Sequence, residues 1–188
     1  MAGRDMDAAK LADKPTAGAL KQVFGSFATG VAIIGACGAN GEMAGMTVNS
    51  LTSVSMEPPL VLFCPSRSLA AFGVYDSAQY FSVSILSEQC EAVSNHFARS
   101  GIDKWNAIPH RVGPYGSPFL DHVLAAMECE VVARYPAGDH VIVLGRVVQS
   151  MVSPAENPLI FFRSTYRQLD QTRSSAIARD LAPFEAWG

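Results

Sequence analysis

Charge is what this sequence has least of. Asp, Glu, Lys and Arg make up 16% of its 188 residues, against about 25% in an average soluble domain. Its 14 basic and 17 acidic residues leave a formal charge of −3, so the basic footprint that tracks nucleic-acid phosphates is absent. No apolar run reaches the roughly 18–20 residues that cross a bilayer. Met1–Lys14 is polar and has no export-type apolar stretch, which points to a cytoplasmic chain. The four cysteines, Cys37, Cys64, Cys90 and Cys129, are far apart with no Cys-x-x-Cys among them. That excludes a paired disulfide framework and a zinc site of ordinary ligand spacing, and predicts reduced thiols. Gly-x-Gly-x-x-Gly, Gly-x-x-x-x-Gly-Lys-Ser/Thr and Gly-x-Ser-x-Gly are all missing, against a Rossmann dinucleotide fold, a phosphate-loop enzyme and a serine hydrolase.

Hydrophobic residues, at 49%, are plentiful enough to exclude a disordered chain. Few charges remain to cover a monomer, so some surface is expected to be hidden against a partner or a large ligand. The length fits one domain, read here as residues 16–169 between a polar lead (1–15) and a polar tail (170–188). Thr16 can cap a helix to about Ala28 carrying Leu20, Val23, Phe24 and Phe27 on one face. Strands are predicted at Val31–Ala36, Met43–Ser55, Leu60–Phe63, Tyr80–Leu86, Ala126–Tyr135, Val141–Met151 and Leu159–Phe162. Asn40-Gly41 and Pro136–Asp139 supply hairpin turns. Short helices are expected over Ser68–Tyr75 and Ser87–Ala98. Strands come in runs rather than alternating with helices, which favours a mainly β, antiparallel barrel with a few peripheral helices.

Three segments carry chemistry. Thr47, Asn49, Ser50, Thr52, Ser53 and Ser55 crowd one stretch. Strand alternation turns such residues to one face, either toward a flat heterocycle that pairs with them or toward solvent. Ser66-Arg67-Ser68 lies between a strand and an expected helix start, where hydroxyls, a guanidinium and amide N–H groups can cradle a phosphate or merely cap the helix. His140 closes Gly138-Asp139-His140 and leads into an apolar strand. His96, His110 and His122 have surroundings typical of surface or packing histidines.

Taken in order, FATGVAIIG, GMTVNSLTSVSMEPPLVLFCPSRS, FSVSIL, SNHFARSGIDKW, ECEVVARYPAGDHVIVLGRV and PLIFFRSTYRQL resemble the flavin reductase-like proteins, the short-chain reductase components of two-component flavin-dependent monooxygenases. The likeness covers about residues 20–169. It implies an FMN-binding split β-barrel with Greek-key-like topology that works as a homodimer. The flavin, FMN or FAD, would take hydride from NADH or NADPH, and reduced flavin would pass to a separate monooxygenase. By that resemblance Thr47, Val48, Asn49 and Ser50 line the flavin ring. Cys64, Pro65, Ser66, Arg67 and Ser68 hold its ribityl and phosphate end, with Phe97, Ala98, Arg99 and Lys104 beside it. Gly138, Asp139 and His140 dock the nicotinamide, with His140 positioning it and no residue acting as an obligatory acid or base. The family often has an aromatic, a small residue and Gly after Asp-Lys, whereas Trp105-Asn106-Ala107 stands here, which leaves the geometry of that loop open. The same barrel also suits a flavin- or haem-binding module without turnover.

Overall fold

A computed structural model describes residues 14–101, 103–153 and 157–170. Of the expected lead and tail only Lys14, Pro15 and Asp170 fall within them. The first helix, α1 (Ala17–Gly25), starts where Thr16 Oγ1 accepts the Ala19 amide at 3.2 Å. It ends three residues before the predicted stop and buries none of its residues. After the two-residue β1 (Thr29–Gly30) comes β2 (Ala32–Cys37), paired with β3 (Met43–Val48) across the Asn40-Gly41 turn. Gly41 takes the positive φ of 78° that this turn requires.

The long extended stretch predicted from Met43 is two strands. It breaks at Asn49–Leu51 and resumes as β4 (Thr52–Met56), which pairs with β5 (Pro59–Phe63). Next come α2 (Phe72–Ser77), β6 (Tyr80–Ile85), a 3₁₀ turn over Glu88–Cys90, and α3 (Glu91–Ala98). After α3 comes β7 (His110–Val112), paired with β8 (Pro118–Leu120). The long hairpin β9 (Ala125–Ala137) and β10 (His140–Val152) follows, then β11 (Ile160–Phe162) and β12 (Thr165–Arg167), a strand that the sequence pattern did not reveal.

The protein is mainly β. Seven strands pair antiparallel in the order β3-β2-β6-β9-β10-β5-β4. No ladder joins β3 to β4 among the described residues, so the expected barrel closure is not formed and the sheet is open. Strand β2 is buried on both faces, with Ile34 in one core beside Phe63, Phe81 and Tyr75, and Ile33 in a second beside Phe97, Trp105 and Phe119. Burial on both faces explains why β2 reads as an unbroken apolar run.

Candidate functional site

A cavity of about 850 Å³ opens where the end of β3 meets the ends of β5 and β10. Those strands are four and five places from β3 in ladder order, so the open sheet curls enough to bring its first strand toward them. The break after Val48 sets one wall. Ser50 Oγ accepts the Cys64 amide at 3.2 Å, tying the broken strand to the end of β5. Thr47 Oγ1 donates to Ser94 O at 2.6 Å, tying β3 to α3. Thr47, Val48, Asn49 and Ser50 line the cavity. Thr52, Ser53 and Ser55 lie on the edge strand β4 and do not, so the polar stretch splits between a site and an edge.

A second wall comes from the chain after β5. Cys64, Ser66 and Ser68 line it, and the two serine hydroxyls share a hydrogen bond of 2.9 Å. The expected helix start at Ser68 is corrected. Helix α2 begins at Phe72, and the amides of Arg67, Ser68 and Leu69 are engaged by Asp139 O, Ser66 Oγ and Ser66 O. Hydroxyls, rather than helix-end amides, are what this wall offers an anion. Pro65 and Arg67 are not among the lining residues, and the Arg67 guanidinium lies 5.9 Å from the centre of the Phe72 ring. Burial pushes the Cys64 thiol up.

The third wall is the end of α3 and the chain beyond it: Phe97, Ala98, Arg99, Ser100, Gly101 and Lys104. Lys104 Nζ donates to Phe97 O at 2.9 Å and Gly45 O at 3.1 Å, and burial lowers its pKa. Among the described residues no carboxylate forms an ion pair with this ammonium. The loop after it is closed by Asn106 Nδ2 donating to Asp103 Oδ2 at 2.8 Å and by the Ile108 amide donating to Trp105 O at 3.0 Å.

His140 completes the site from the start of β10, bridged to Ser66. Its Nδ1 lies 2.7 Å from Asp139 Oδ1, and that hydrogen bond, then the imidazole charge, holds the Asp139 carboxyl below the usual range. Asp139 and Gly138 form the turn, Gly138 at a φ of 65°, and do not line the cavity. Sequence reasoning missed Gly45, Leu69, Ala71, Tyr75 and Ile142, which also line it. Tyr75 is buried, with its hydroxyl 3.4 Å from Ile34 O and its phenol pKa raised by burial. Only its place in a helix was legible beforehand.

Among the described residues no Asp or Glu lines the cavity, whereas Arg99, Lys104 and several hydroxyls do. Such a wall fits a polyanion with a flat, hydrogen-bonding body. The Flavin reductase like domain matches residues 24–170.

The chain belongs to this flavin reductase family. The span of the match takes in every strand and every residue lining the cavity. A flavin reductase of Pseudomonas putida is 38% identical over 146 residues, covering 78% of this chain and 86% of that protein. The reductase subunit HsaB of a flavin-dependent monooxygenase from Rhodococcus jostii is 32% identical over 154 residues, covering 82% and 78%. Among solved structures, the NADH:FAD oxidoreductase SgcE6 of Streptomyces globisporus C-1027, in complex with NAD and FAD fragments, superposes with a TM-score of 0.82. It is 33% identical, over 88% of this chain and all of that one. Among the described residues no helix is long and apolar enough to cross a membrane, and no group of His, Cys, Asp or Glu could hold a metal ion.

Proposed function

We propose that this flavin reductase binds FMN or FAD in the cavity, reduces it with NADH or NADPH, and hands the reduced flavin to a separate monooxygenase. The observation that carries the reading is the union of Thr47–Ser50, Ser66, Ser68, Arg99, Lys104 and His140 around one cavity that no described Asp or Glu lines. The flavin would supply the two-electron acceptor, and the nicotinamide the hydride.

The chain's own task is to bind and align. Thr47 and Ser50 are fixed by their bonds to Ser94 O and the Cys64 amide, so they present hydrogen-bonding groups to the ring without reorganising. Arg99 and Lys104 set a positive field for the phosphate. Asp139 holds the His140 ring through Nδ1, leaving Nε2 to meet the nicotinamide amide. Alignment of two rings needs no proton donor, so no side chain is assigned as an acid or base.

The curled sheet agrees with a split barrel completed by a second copy of the chain. A homodimer would also cover α1 and the chain just after it, where Phe24 and Phe27 are 69% and 76% exposed. Adding free FMN or FAD to the protein with NADH and following NADH absorbance tests the reading. Steady oxidation is expected, and a flat trace with every flavin and nicotinamide pairing would overturn it in favour of binding without turnover.

A further inference from the structure

Trp105 heads the fully buried side chains by volume, and it lies just behind the cavity wall rather than in it. Its seat is made by two absent side chains. Gly35 of β2 and Gly45 of β3 face each other across the ladder. A Cβ on Gly35 would stand 3.0 Å from Trp105 Cζ2, and one on Gly45 would stand 2.9 Å from Trp105 Nε1 and 2.6 Å from Phe97 Cδ1. A Cβ on Gly35 would meet Pro118 O and Ser82 Oγ before it met the indole, so the window that the indole occupies is set chiefly by Gly45, with Gly35 opposite it. Phe97 and His110 pack against it with ring centroids 4.7 and 5.2 Å away. The indole N–H is buried with no hydrogen-bond partner among the described residues, so the ring is held by shape.

What the indole holds in turn is the third wall. Lys104 precedes it in the chain and bonds Gly45 O and Phe97 O, while the Lys104 carbonyl lies 2.8 Å from His96 Nε2. The arm between Phe97 and Lys104 carries Arg99, Ser100 and Gly101 along the cavity. Its two ends are fixed at the same place, Phe97 by packing on the indole and Lys104 by the bond next to it.

We propose that Trp105 is a positioning residue: seated in the Gly35–Gly45 window, it fixes Phe97–Gly101 and Lys104 as the phosphate-side wall, and so sets flavin affinity without touching flavin. The proposal rests on the flavin reading of the cavity. His140 reaches the cavity from β10, so nicotinamide binding is expected to be independent of the arm.

The test compares wild type, Trp105→Ala, Trp105→Phe and Lys104→Met. Flavin Kd is measured by quenching of free flavin fluorescence on titration with protein, and steady-state constants and Tm are measured alongside. Wild-type quenching comes first, because its absence would overturn the flavin reading itself. Given that quenching, Trp105→Ala and Lys104→Met are expected to raise flavin Kd and KM about tenfold or more. The value of kcat at saturating flavin and the NADH KM should stay within about threefold, the pattern of lost binding rather than lost chemistry. Trp105→Phe, which keeps a ring in the window, should recover most of the affinity and fold even where the alanine variant does not. Unchanged flavin affinity in folded Trp105→Ala or in Lys104→Met would overturn the proposal, and where Trp105→Ala does not fold, so would a Trp105→Phe affinity as weak as that of Lys104→Met. So would a loss in which flavin KM, NADH KM and kcat worsen together in step with Tm, since that is the mark of a merely structural residue.

Discussion

His140 and Asp139 share a hydrogen bond of 2.7 Å at the tip of the β9–β10 hairpin, with the histidine turned to the cavity and the aspartate outside it. A carboxylate on Nδ1 fixes the tautomer and the plane of the ring. His140→Ala is therefore expected to raise the NADH KM by about 3- to 10-fold, the worth of one net hydrogen bond, with a smaller effect on kcat. Asp139→Asn should move KM the same way by less. A collapse of kcat at saturating NADH with flavin affinity intact would instead make His140 part of the chemistry.

The same pair fixes the sign of a pH effect. Asp139 is held below the usual carboxylate range by the His140 hydrogen bond and then by its charge. Its contribution is thus present above the unfolded aspartate range, about pH 4, and is lost as pH falls through the depressed value. The Tm gap between wild type and Asp139→Asn should be small, because the carboxylate is solvent-exposed, and should close in acid.

Much of this site was legible in the sequence because its parts are local. The Gly138-Asp139-His140 turn, the Thr47–Ser50 stretch and Phe97–Arg99 are short segments whose geometry follows from neighbours in the chain. The strands of the long hairpin were likewise visible, since alternation and a Gly turn are both written locally. What stayed hidden is long-range. Nothing in Gly35 or Gly45 announces that they oppose each other, or that an indole sixty residues on (Trp105) fills the gap. The strand break at Asn49–Leu51 was invisible because Thr, Ser and Val suit a strand on either side of it, and it is the Ser50–Cys64 bond that holds it. That the sheet stays open, against the barrel expected, could not be read from local pattern, because closure depends on how far a twisted sheet curls.

Thiol reactivity should sort the four cysteines by environment. Cys129 is fully buried, and its pKa is pushed up to about 12, by burial first and by the adjacent Glu128 charge second. At pH 8 about one part in ten thousand is thiolate, too little for attack on a disulfide reagent. Cys90 is also buried, whereas Cys37 and Cys64 are half-buried. Native protein treated with an aromatic disulfide reagent is expected to lose Cys37 and Cys64 and to keep Cys90 and Cys129 until it unfolds. Bound flavin should slow Cys64, which lines the cavity. Four fast thiols in the native state would contradict the packing.

Strain is stored at the β11–β12 turn. Arg163 and Ser164, at φ of 49° and 59°, occupy the left-handed region between the paired Phe162 and Thr165. A non-glycine residue there costs about 1–2 kcal/mol, and two-residue hairpins of this hand favour glycine at the second position. The turn is kept in place because the Arg163 amide donates to Gly25 O at 2.8 Å, which anchors the end of α1. Ser164→Gly should relieve the strain, offset in part by chain entropy, for a net gain of about 0.5–1 kcal/mol. Tm should rise by about 1–4 °C. A fall in Tm on this change would mean that the serine side chain holds something the backbone does not.

Glu128 is the buried charge with the strongest case for a structural role. It is 0% exposed, and its carboxylate accepts the Ser117 amide at 3.1 Å and the Tyr115 amide at 3.4 Å, across the turn that joins β7 to β8. Gly113 has no side chain where the carboxylate passes: a Cβ there would meet Glu128 Oε2 at 2.7 Å. An acceptor facing two donors is intolerant of a donor in its place. Glu128→Gln keeps the volume but sets an NH₂ against one of those amides, and should cost about 1–3 kcal/mol. Removing the charge also removes the second of the two causes that raise Cys129, so its thiol should ionise at a lower pH in Glu128→Gln than in wild type. Both effects are measurable on one sample, by chemical denaturation and by the pH dependence of thiolate absorbance. A variant as stable as wild type, with Cys129 unmoved, would show that neither the two amides nor the Cys129 thiol depends on this side chain.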